Sequence, residues 1–196
     1  MDTKLTGKTR IESDLIGARE IPAEALYGVQ TLRGIENFSI SKFRLSEYPL
    51  FIKGLAITKM AAAMANFELG LLTVEQKDAI IAACGEIIDG KHHDQFPVDM
   101  IQGGAGTTTN MNANEVIANR ALELMGHERG EYQYCSPNDH VNCSQSTNDA
   151  YPTAIHIGMY FKHLQLLPHL EELIASFRKK GEEFSRIIKM GRTQLE

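Results

Sequence analysis

The feature that most restricts the fold of this chain is a long helical pattern in its last quarter. Apolar residues recur at helical spacing from about Thr153 to Met190, and only Pro168 and Gly181 interrupt them. At about 1.5 Å per residue this helix would exceed about 50 Å, and patterns longer than about 25 residues are typical of helical bundles and coiled coils. Three shorter helices cannot bury so long an apolar face, so we expect it to pack against further helices, from this chain or from another.

The preceding residues predict a mainly α fold with short strands. Residues 1–47 mix short apolar pairs with glycine and proline, which indicates strands or irregular structure, and Pro22–Tyr27 is interpreted as one helical turn. A capping box, Thr73–Gln76, precedes one helical segment. The predicted helices are Tyr48–Leu69 before Gly70, the segment KDAIIAACGEIID that follows the capping box and ends at Gly90, and Thr109–Met125 before Gly126. The first two should form an antiparallel pair.

Composition excludes several classes of partner. The 196 residues carry a formal net charge of -5, which disfavours binding to nucleic acid or to anionic lipid. No apolar run approaches 18 residues, so we expect no membrane span and, with this charge, no membrane partner. Three cysteines without CxxC spacing and no signal-peptide pattern favour reduced thiols in the cytoplasm. His92 and His93 fall in an irregular segment and are interpreted as solvated, so no metal or other cofactor is predicted.

Three clusters of uncharged polar residues raise the question of a ligand. The stretch GGAGTTTNMNANE, Gly103–Glu115, offers hydroxyls, amides and open backbone but almost no charge, and it leads into a predicted helix. The first amides of a helix lack intrahelical partners and attract an anion without any basic side chain. The candidate ligand residues in the three clusters are Thr107; Ser146, Thr147 and Asn148; and Thr193 and Gln194.

Two interpretations of these clusters compete. Serine, threonine and asparagine are also the preferred N-caps, so any one cluster could simply begin a helix. Three clusters in one chain favour a small ligand with two or more carboxylates. Neutral donors of this kind also suit a reaction in which a proton leaves the carbon next to a carboxylate and charge grows on that carboxylate as an enediolate.

The same stretches resemble the motifs of the fumarase/aspartase superfamily. The matching segments run in order through the chain and together are highly specific. They are RIESDLIG (10–17), YGVQT (27–31), GAGTTTNMNANEV (104–116), PNDHVNCSQSTND (137–149) and GRTQLE (191–196).

The resemblance implies a helical protein of three domains that assembles as a homotetramer around a central bundle. Residues 1–146 would then be the N-terminal lyase domain, and 147–196 the incomplete start of the helical-bundle domain. Members eliminate a group from a succinyl-type substrate to give fumarate, and their base is a serine on a mobile loop that would lie beyond Glu196. The binding half of the site would be Thr107, Ser146, Thr147, Asn148, Thr193 and Gln194, and we expect this portion to be inactive alone.

Two positions at which this chain differs from the superfamily motifs distinguish between branches of the superfamily. The hydratase branch usually has histidine where this chain has Gln194 and Ser136, and glutamine has no group that titrates near neutral pH. We therefore expect the branch that releases ammonia from aspartate, with the class II fumarase branch as the alternative. Asp139 and His140 are interpreted as fixing turn geometry or a tetramer contact. An alternative of another class is a non-catalytic helical assembly module, whose polar clusters are only caps.

Overall fold

The computed structural model of the protein describes residues 7–191, which begin with an antiparallel hairpin. β1 (Thr9–Asp14) pairs with β2 (Gly17–Pro22) along its whole length, from Thr9 opposite Pro22 to Asp14 opposite Gly17. The short strands predicted for the first segment are thus confirmed.

The segment after β2 corrects one prediction and contains a helix that was not predicted. Pro22–Tyr27 is not helical: the amide of Ala25 donates to the carbonyl of Pro22 at 3.0 Å and closes a tight turn. α1 (Val29–Asn37) then begins after Gly28, which has no side chain to cap it. The usual sequence signal for a helix start is therefore missing at this position.

The next two helices form the predicted pair. α2 (Pro49–Glu68) and α3 (Val74–Ile88) are joined by a short connection and pack along each other. The capping box is present, because the Gln76 amide donates to Thr73 Oγ1 at 3.1 Å and the Thr73 amide donates to Gln76 Oε1 at 3.1 Å. Two 3-10 turns, Leu45–Glu47 and His93–Gln95, flank this pair.

The central helix of the fold is α4 (Thr107–Leu124), which begins two residues earlier than predicted and is buried along most of its length. It packs against α1 and α3 and against a π-helical turn, Pro137–Val141. The predicted helix-ending glycines all have positive φ: Gly70 after α2, Gly90 after α3 and Gly126 after α4.

The core lies between α2, α3 and α4. Its largest side chains come from all three helices and from the segments that precede them, and each is less than 2% exposed. These residues are Leu45, Ile52, Leu55, Ile80, Ile87, Phe96, Val98, Ile117 and Leu122.

The last helix, α5 (Thr147–Glu183), begins six residues before the predicted start and continues through both Pro168 and Gly181. The predicted interruptions are therefore wrong. The first turns of α5 pack closely on α2: a Cβ at Gly54 would collide with the Ala154 carbonyl, and a Cβ at Gly158 would lie 3.0 Å from the Leu50 carbonyl oxygen. This packing holds the beginning of α5 in a helix.

The chain divides into two compact units, Met1–Met159 and Tyr160–Glu196. The second unit holds the remainder of α5, and its apolar side chains are largely exposed. They include Leu164, Leu166, Leu167, Leu170, Leu173, Ile174, Phe177, Phe184, Ile187 and Ile188. The domain boundary expected at residues 146 and 147 stays a prediction.

One helix is apolar enough to cross a membrane by length and composition, although no such segment was expected from the sequence. Within the described residues, Pro49–Glu68 passes that test by length and composition, with a mean hydropathy of 1.3. Core helices of soluble proteins pass the same test, and this helix buries Ile52, Leu55 and Ala56 in the core. Its apolar composition is explained by that packing.

Candidate active site

The start of α4 presents the first of the predicted ligand residues. Its N-cap is Gly106, with φ 87, and Gln102 supplies the cap: Oε1 accepts from the Thr109 amide at 2.9 Å, and Nε2 donates to Thr109 Oγ1. Thr107 is exposed, and within residues 7–191 its hydroxyl has no protein partner. Because Gln102 performs the capping, Thr107 Oγ1 is left available.

The start of α5 also presents polar side chains that are not used for capping. Ser146 and Asn148 are exposed and Thr147 is half-buried, and none of the three side chains hydrogen-bonds to another protein group in the part of the chain that the structure describes. The Ser146 amide donates instead to Asp149 Oδ2, at 3.3 Å. Among the described residues, Ser146, Thr147 and Asn148 therefore do not cap the helix with their side chains, which was the alternative interpretation of this cluster.

The two helix starts lie against each other. A Cβ at Gly106 would overlap the ring of Tyr151, which stands one turn after Thr147 on α5. The Tyr151 ring also packs edge-on against Phe51 of α2, with 5.5 Å between ring centroids. The structure therefore brings two of the three predicted clusters together. The third, Thr193 and Gln194, lies outside the described residues.

An amide network joins α4 to the loop before α5. Asn142 Oδ1 accepts from Asn110 Nδ2 at 3.0 Å and from Asn114 Nδ2 at 3.1 Å, both on α4. The Asn142 Nδ2 donates to the carbonyl of Gln145 at 3.0 Å. The asparagines of the NMNANE motif thus hold the loop that leads into Ser146.

Lys59 completes this network and was not predicted from the sequence. It lies on α2 with 0% of its surface exposed, and its Nζ donates to Asn142 Oδ1 at 2.9 Å and to Gln145 Oε1 at 3.0 Å. Burial lowers the pKa of Lys59 to about 7. The one signal for it in the sequence is a lysine in the middle of the alanine- and methionine-rich segment of α2.

The loop that carries Asp139 and His140 is held by its own hydrogen bonds. Ser136 Oγ donates to Asp139 Oδ2 at 3.0 Å and accepts from the Asp139 amide at 3.1 Å. The Ser136 amide donates to Nδ1 of His140 at 2.7 Å, and burial lowers the pKa of that histidine. These contacts agree with the interpretation that Asp139 and His140 fix turn geometry.

A separate cavity of about 580 Å³ lies between the hairpin turn, α1 and this loop. Its lining includes Asp14, Glu115 and Asn138, and none of its lining residues is basic. Arg33 is near but engaged: its Nε donates to Asp14 Oδ2 at 2.8 Å, which holds the pKa of Asp14 at about 2. An acidic lining with no free cation is a poor match for a dicarboxylate.

The two histidines in the irregular segment have protein partners. His92 Nε2 lies 2.9 Å from Glu86 Oε2, and His93 Nε2 lies 2.9 Å from the Ile87 carbonyl oxygen. Among the residues that the structure describes, no group of three or more histidine, cysteine, aspartate or glutamate side chains could hold a metal ion.

Comparison with known proteins assigns the chain to a class. Residues 17–196 match the model of a lyase family, so the chain belongs to that family. It is 53% identical to the fumarate lyase:delta crystallin from Brucella melitensis, with a TM-score of 0.92 over 96% of this chain and 41% of that one. A class II fumarase from Schistosoma mansoni is 38% identical, with a TM-score of 0.88 over 96% of this chain and 40% of that one.

Curated relatives narrow the class further. The chain is 59% identical to the aspartate ammonia-lyase of Pseudomonas canavaninivorans over 187 residues, 95% of this chain and 40% of that protein. It is 55% identical to the aspartate ammonia-lyase of Escherichia coli strain K12 over 193 residues, 98% of this chain and 40% of that protein. The chain thus spans about 40% of the length of the curated relatives that it matches.

Proposed function

We propose that this chain is part of an aspartate ammonia-lyase, which catalyses the reversible elimination of ammonia from L-aspartate to give fumarate. The observation that carries the proposal is the pair of adjacent helix N-termini whose hydroxyl and amide side chains are not used for capping. Thr107 stands at one, and Ser146, Thr147 and Asn148 stand at the other. The identity to relatives of that name supports the same choice.

The chemistry requires the donors that these helix starts provide. A base removes a proton from the carbon beta to the amino group, and the electron pair of that C–H bond moves into the adjacent carboxylate as an enediolate. The C–N bond then breaks, ammonia leaves and fumarate forms. Hydrogen-bond donors fixed around the carboxylate before reaction stabilise the enediolate most, because they need no reorganisation when the second negative charge appears.

This chain contributes binding and electrostatic stabilisation in the proposal, and the proton-abstracting serine that the resemblance implies comes from another segment. Thr193 and Gln194 would add donors to the same substrate. The proposed reaction uses no cofactor. We expect residues 1–196 alone to show no turnover.

The test is an assay of the longer protein that contains this chain, with fumarate followed by its absorbance near 240 nm. L-aspartate should yield fumarate and L-malate should not. Fumarate from malate alone would instead support the class II fumarase alternative. The 38% identity to the Schistosoma mansoni enzyme is the observation that favours this alternative.

Substitutions distinguish ligand residues from helix caps. Thr147→Ala and Asn148→Ala should each lower kcat/KM by about 100-fold or more, the loss expected for one donor to developing charge, with an unchanged free energy of unfolding. Thr153→Ala, an exposed threonine farther along α5, is the matched control and should leave activity unchanged. Wild-type activity with a stability loss of about 0.5–2 kcal/mol would support capping and the non-catalytic assembly module.

We also propose a homotetramer in the cytoplasm, without nucleic acid or membrane partners. The exposed apolar residues of Tyr160–Glu196 support assembly, since an apolar face of this extent marks an interaction surface. The free thiols of Cys84, Cys135 and Cys143 fit a reducing compartment. Sedimentation of the longer protein should give four chains, and a monomeric species with full activity would contradict the proposal.

A further inference from the structure

Lys59 is the buried group that the proposed chemistry leaves unexplained. It is fully buried on α2, and among residues 7–191 its ammonium hydrogen-bonds to two amide oxygens but forms no salt bridge with a carboxylate. A buried ammonium without a counter-charge is costly, and an apolar side chain of similar length would usually be as stable or more stable at such a position. Stability of the core therefore gives no reason for a lysine at position 59.

The two hydrogen-bond partners of Lys59 indicate a different reason. Both are neutral amide oxygens, on Asn142 and Gln145, in the loop that runs directly into Ser146. Asn142 Oδ1 also accepts from Asn110 and Asn114 of α4. Lys59 therefore ties α2 to the loop at the point where that loop is already tied to α4.

The loop closes a turn, in which the Gln145 amide donates to the Asn142 carbonyl at 3.1 Å, but this turn holds one residue in an unfavourable backbone conformation. Ser144 has φ 56, a left-handed conformation that a serine rarely adopts without help from its surroundings. The amide of Asn66, also on α2, donates to the Cys143 carbonyl at 2.8 Å, and Gln145 Nε2 donates to the Val141 carbonyl at 2.9 Å. Residues 142–145 are thus fixed from α2 immediately before the ligand cluster begins.

We propose that Lys59 is a positioning residue, which holds the loop at residues 142–145 so that Ser146, Thr147 and Asn148 stand in binding geometry beside the start of α4. The proposal rests on the proposed function for its effect on catalysis. Lys59 touches no substrate in this scheme and acts only through Asn142 and Gln145. Displacement of a substrate-binding group by about 1 Å can lower the rate by about 100-fold, so loosening this loop should be visible in turnover.

The experiment compares Lys59→Met with wild type in the longer protein that contains this chain. Methionine keeps most of the side-chain volume but removes both hydrogen bonds. We expect kcat/KM for L-aspartate to fall about 10- to 100-fold, and amide hydrogen exchange to rise at residues 142–149 while the rest of α2 and α4 stays protected. The melting temperature should stay close to that of wild type, because removal of a buried ammonium without a counter-charge offsets the loss of its two hydrogen bonds.

Two further variants keep the inference testable if Lys59→Met misfolds. Lys53→Met changes the other lysine of α2, which is half-buried, and should alter neither activity nor exchange at the loop. Gln145→Ala removes one partner on the loop side while Lys59 keeps Asn142, and should give a smaller loss of about 3- to 10-fold with the same exchange signature.

The exchange measurement separates this inference from the proposed function. Wild-type protein without activity on aspartate would contradict the proposed function, and faster exchange at residues 142–149 in Lys59→Met would still support the positioning role. Unchanged exchange there would overturn that role whatever the activity. A fall in melting temperature with loss of protection throughout α2 and α4 would also overturn it, because Lys59 would then stabilise the core as a whole.

Discussion

Replacement of Glu115 should test how this fold secures α1, which begins without a cap of its own. Glu115 lies on α4 and is 2% exposed. Its Oε2 accepts from the Gly28 amide at 2.8 Å, the Thr31 amide at 3.0 Å and the Thr31 hydroxyl at 2.6 Å, and its Oε1 accepts from the Gln30 amide at 2.8 Å. One carboxylate therefore caps the first turn of a helix more than 80 positions away in sequence.

The cost of Glu115→Ala follows from these four bonds. Each buried donor left without a partner costs about 1–3 kcal/mol, and the low end applies where water can enter. Burial raises the pKa of Glu115 to about 6 from 4.5, so the ionised carboxylate destabilises the folded protein by about 2 kcal/mol at pH 7. Glu115→Ala removes this destabilisation. We expect a net loss of about 2–4 kcal/mol, a large part of the stability of an ordinary domain.

Glu115→Gln is the matched control. A glutamine oxygen placed at the position of Oε2 keeps three of the four bonds, and only the Gln30 amide then faces an NH2 group. Its stability at pH 7 should therefore lie within about 1 kcal/mol of wild type, because the cost of one unsatisfied donor is offset by the removal of the same buried charge. Urea denaturation followed by circular dichroism measures both variants.

The pH dependence of the same pair gives a second check. Because burial raises the folded-state pKa of Glu115, the wild-type protein gains from the protonated form below pH 4.5 and loses that gain as pH rises to about 6. The wild type should thus lose stability relative to Glu115→Gln across that window. Equal losses below about 0.5 kcal/mol for both variants would refute the view that these bonds secure α1.

Three further predictions follow from single contacts. Gly106→Ala should lower activity of the longer protein at least about 10-fold, because φ 87 disfavours a side chain there and a Cβ would displace Tyr151; full activity would contradict this. Thr73→Ala should reduce the free energy of unfolding by about 1 kcal/mol in urea, and no loss would mean that the cap is not needed. Arg120 lowers the pKa of Glu86 to about 2, so the ionised Glu86 stabilises the fold fully above pH 4.5 and this stabilisation is lost as pH falls towards 2. In Glu86→Gln the free energy of unfolding should therefore fall less steeply between pH 4.5 and pH 2. The same steepness in wild type and variant would show that the Glu86–Arg120 pair does not stabilise the fold.

Prediction from the sequence succeeded where the signals are local. The capping box at Thr73 and Gln76 and the glycines Gly70 and Gly90 act within one turn of the helix end that they define. Side-chain chemistry and backbone conformation at such sites depend on neighbouring residues only, so α2 and α3 have the predicted ends.

Prediction failed where distant residues supply the support. α1 begins directly after Gly28 because Glu12 and Glu115 accept hydrogen bonds from the amides at its start, and no pattern near Gly28 shows this. α5 begins at Thr147, six residues ahead of the start expected near Thr153, and includes Pro152, because Gly54 of α2 admits the Ala154 backbone at close range. Packing of this kind overrides a local helix breaker.

The chain by itself determined the chemistry available at the candidate site: hydroxyl and amide side chains at helix starts, almost without charge, in an order that matches one lyase family. Only the tertiary structure decided that Gln102 caps α4 in place of Thr107, that Tyr151 brings the two helix starts together, and that Lys59 reaches Asn142. The reason is that hydrogen bonds and close packing depend on distance in space, and residues separated by up to 83 positions leave no trace of their contact in a local pattern.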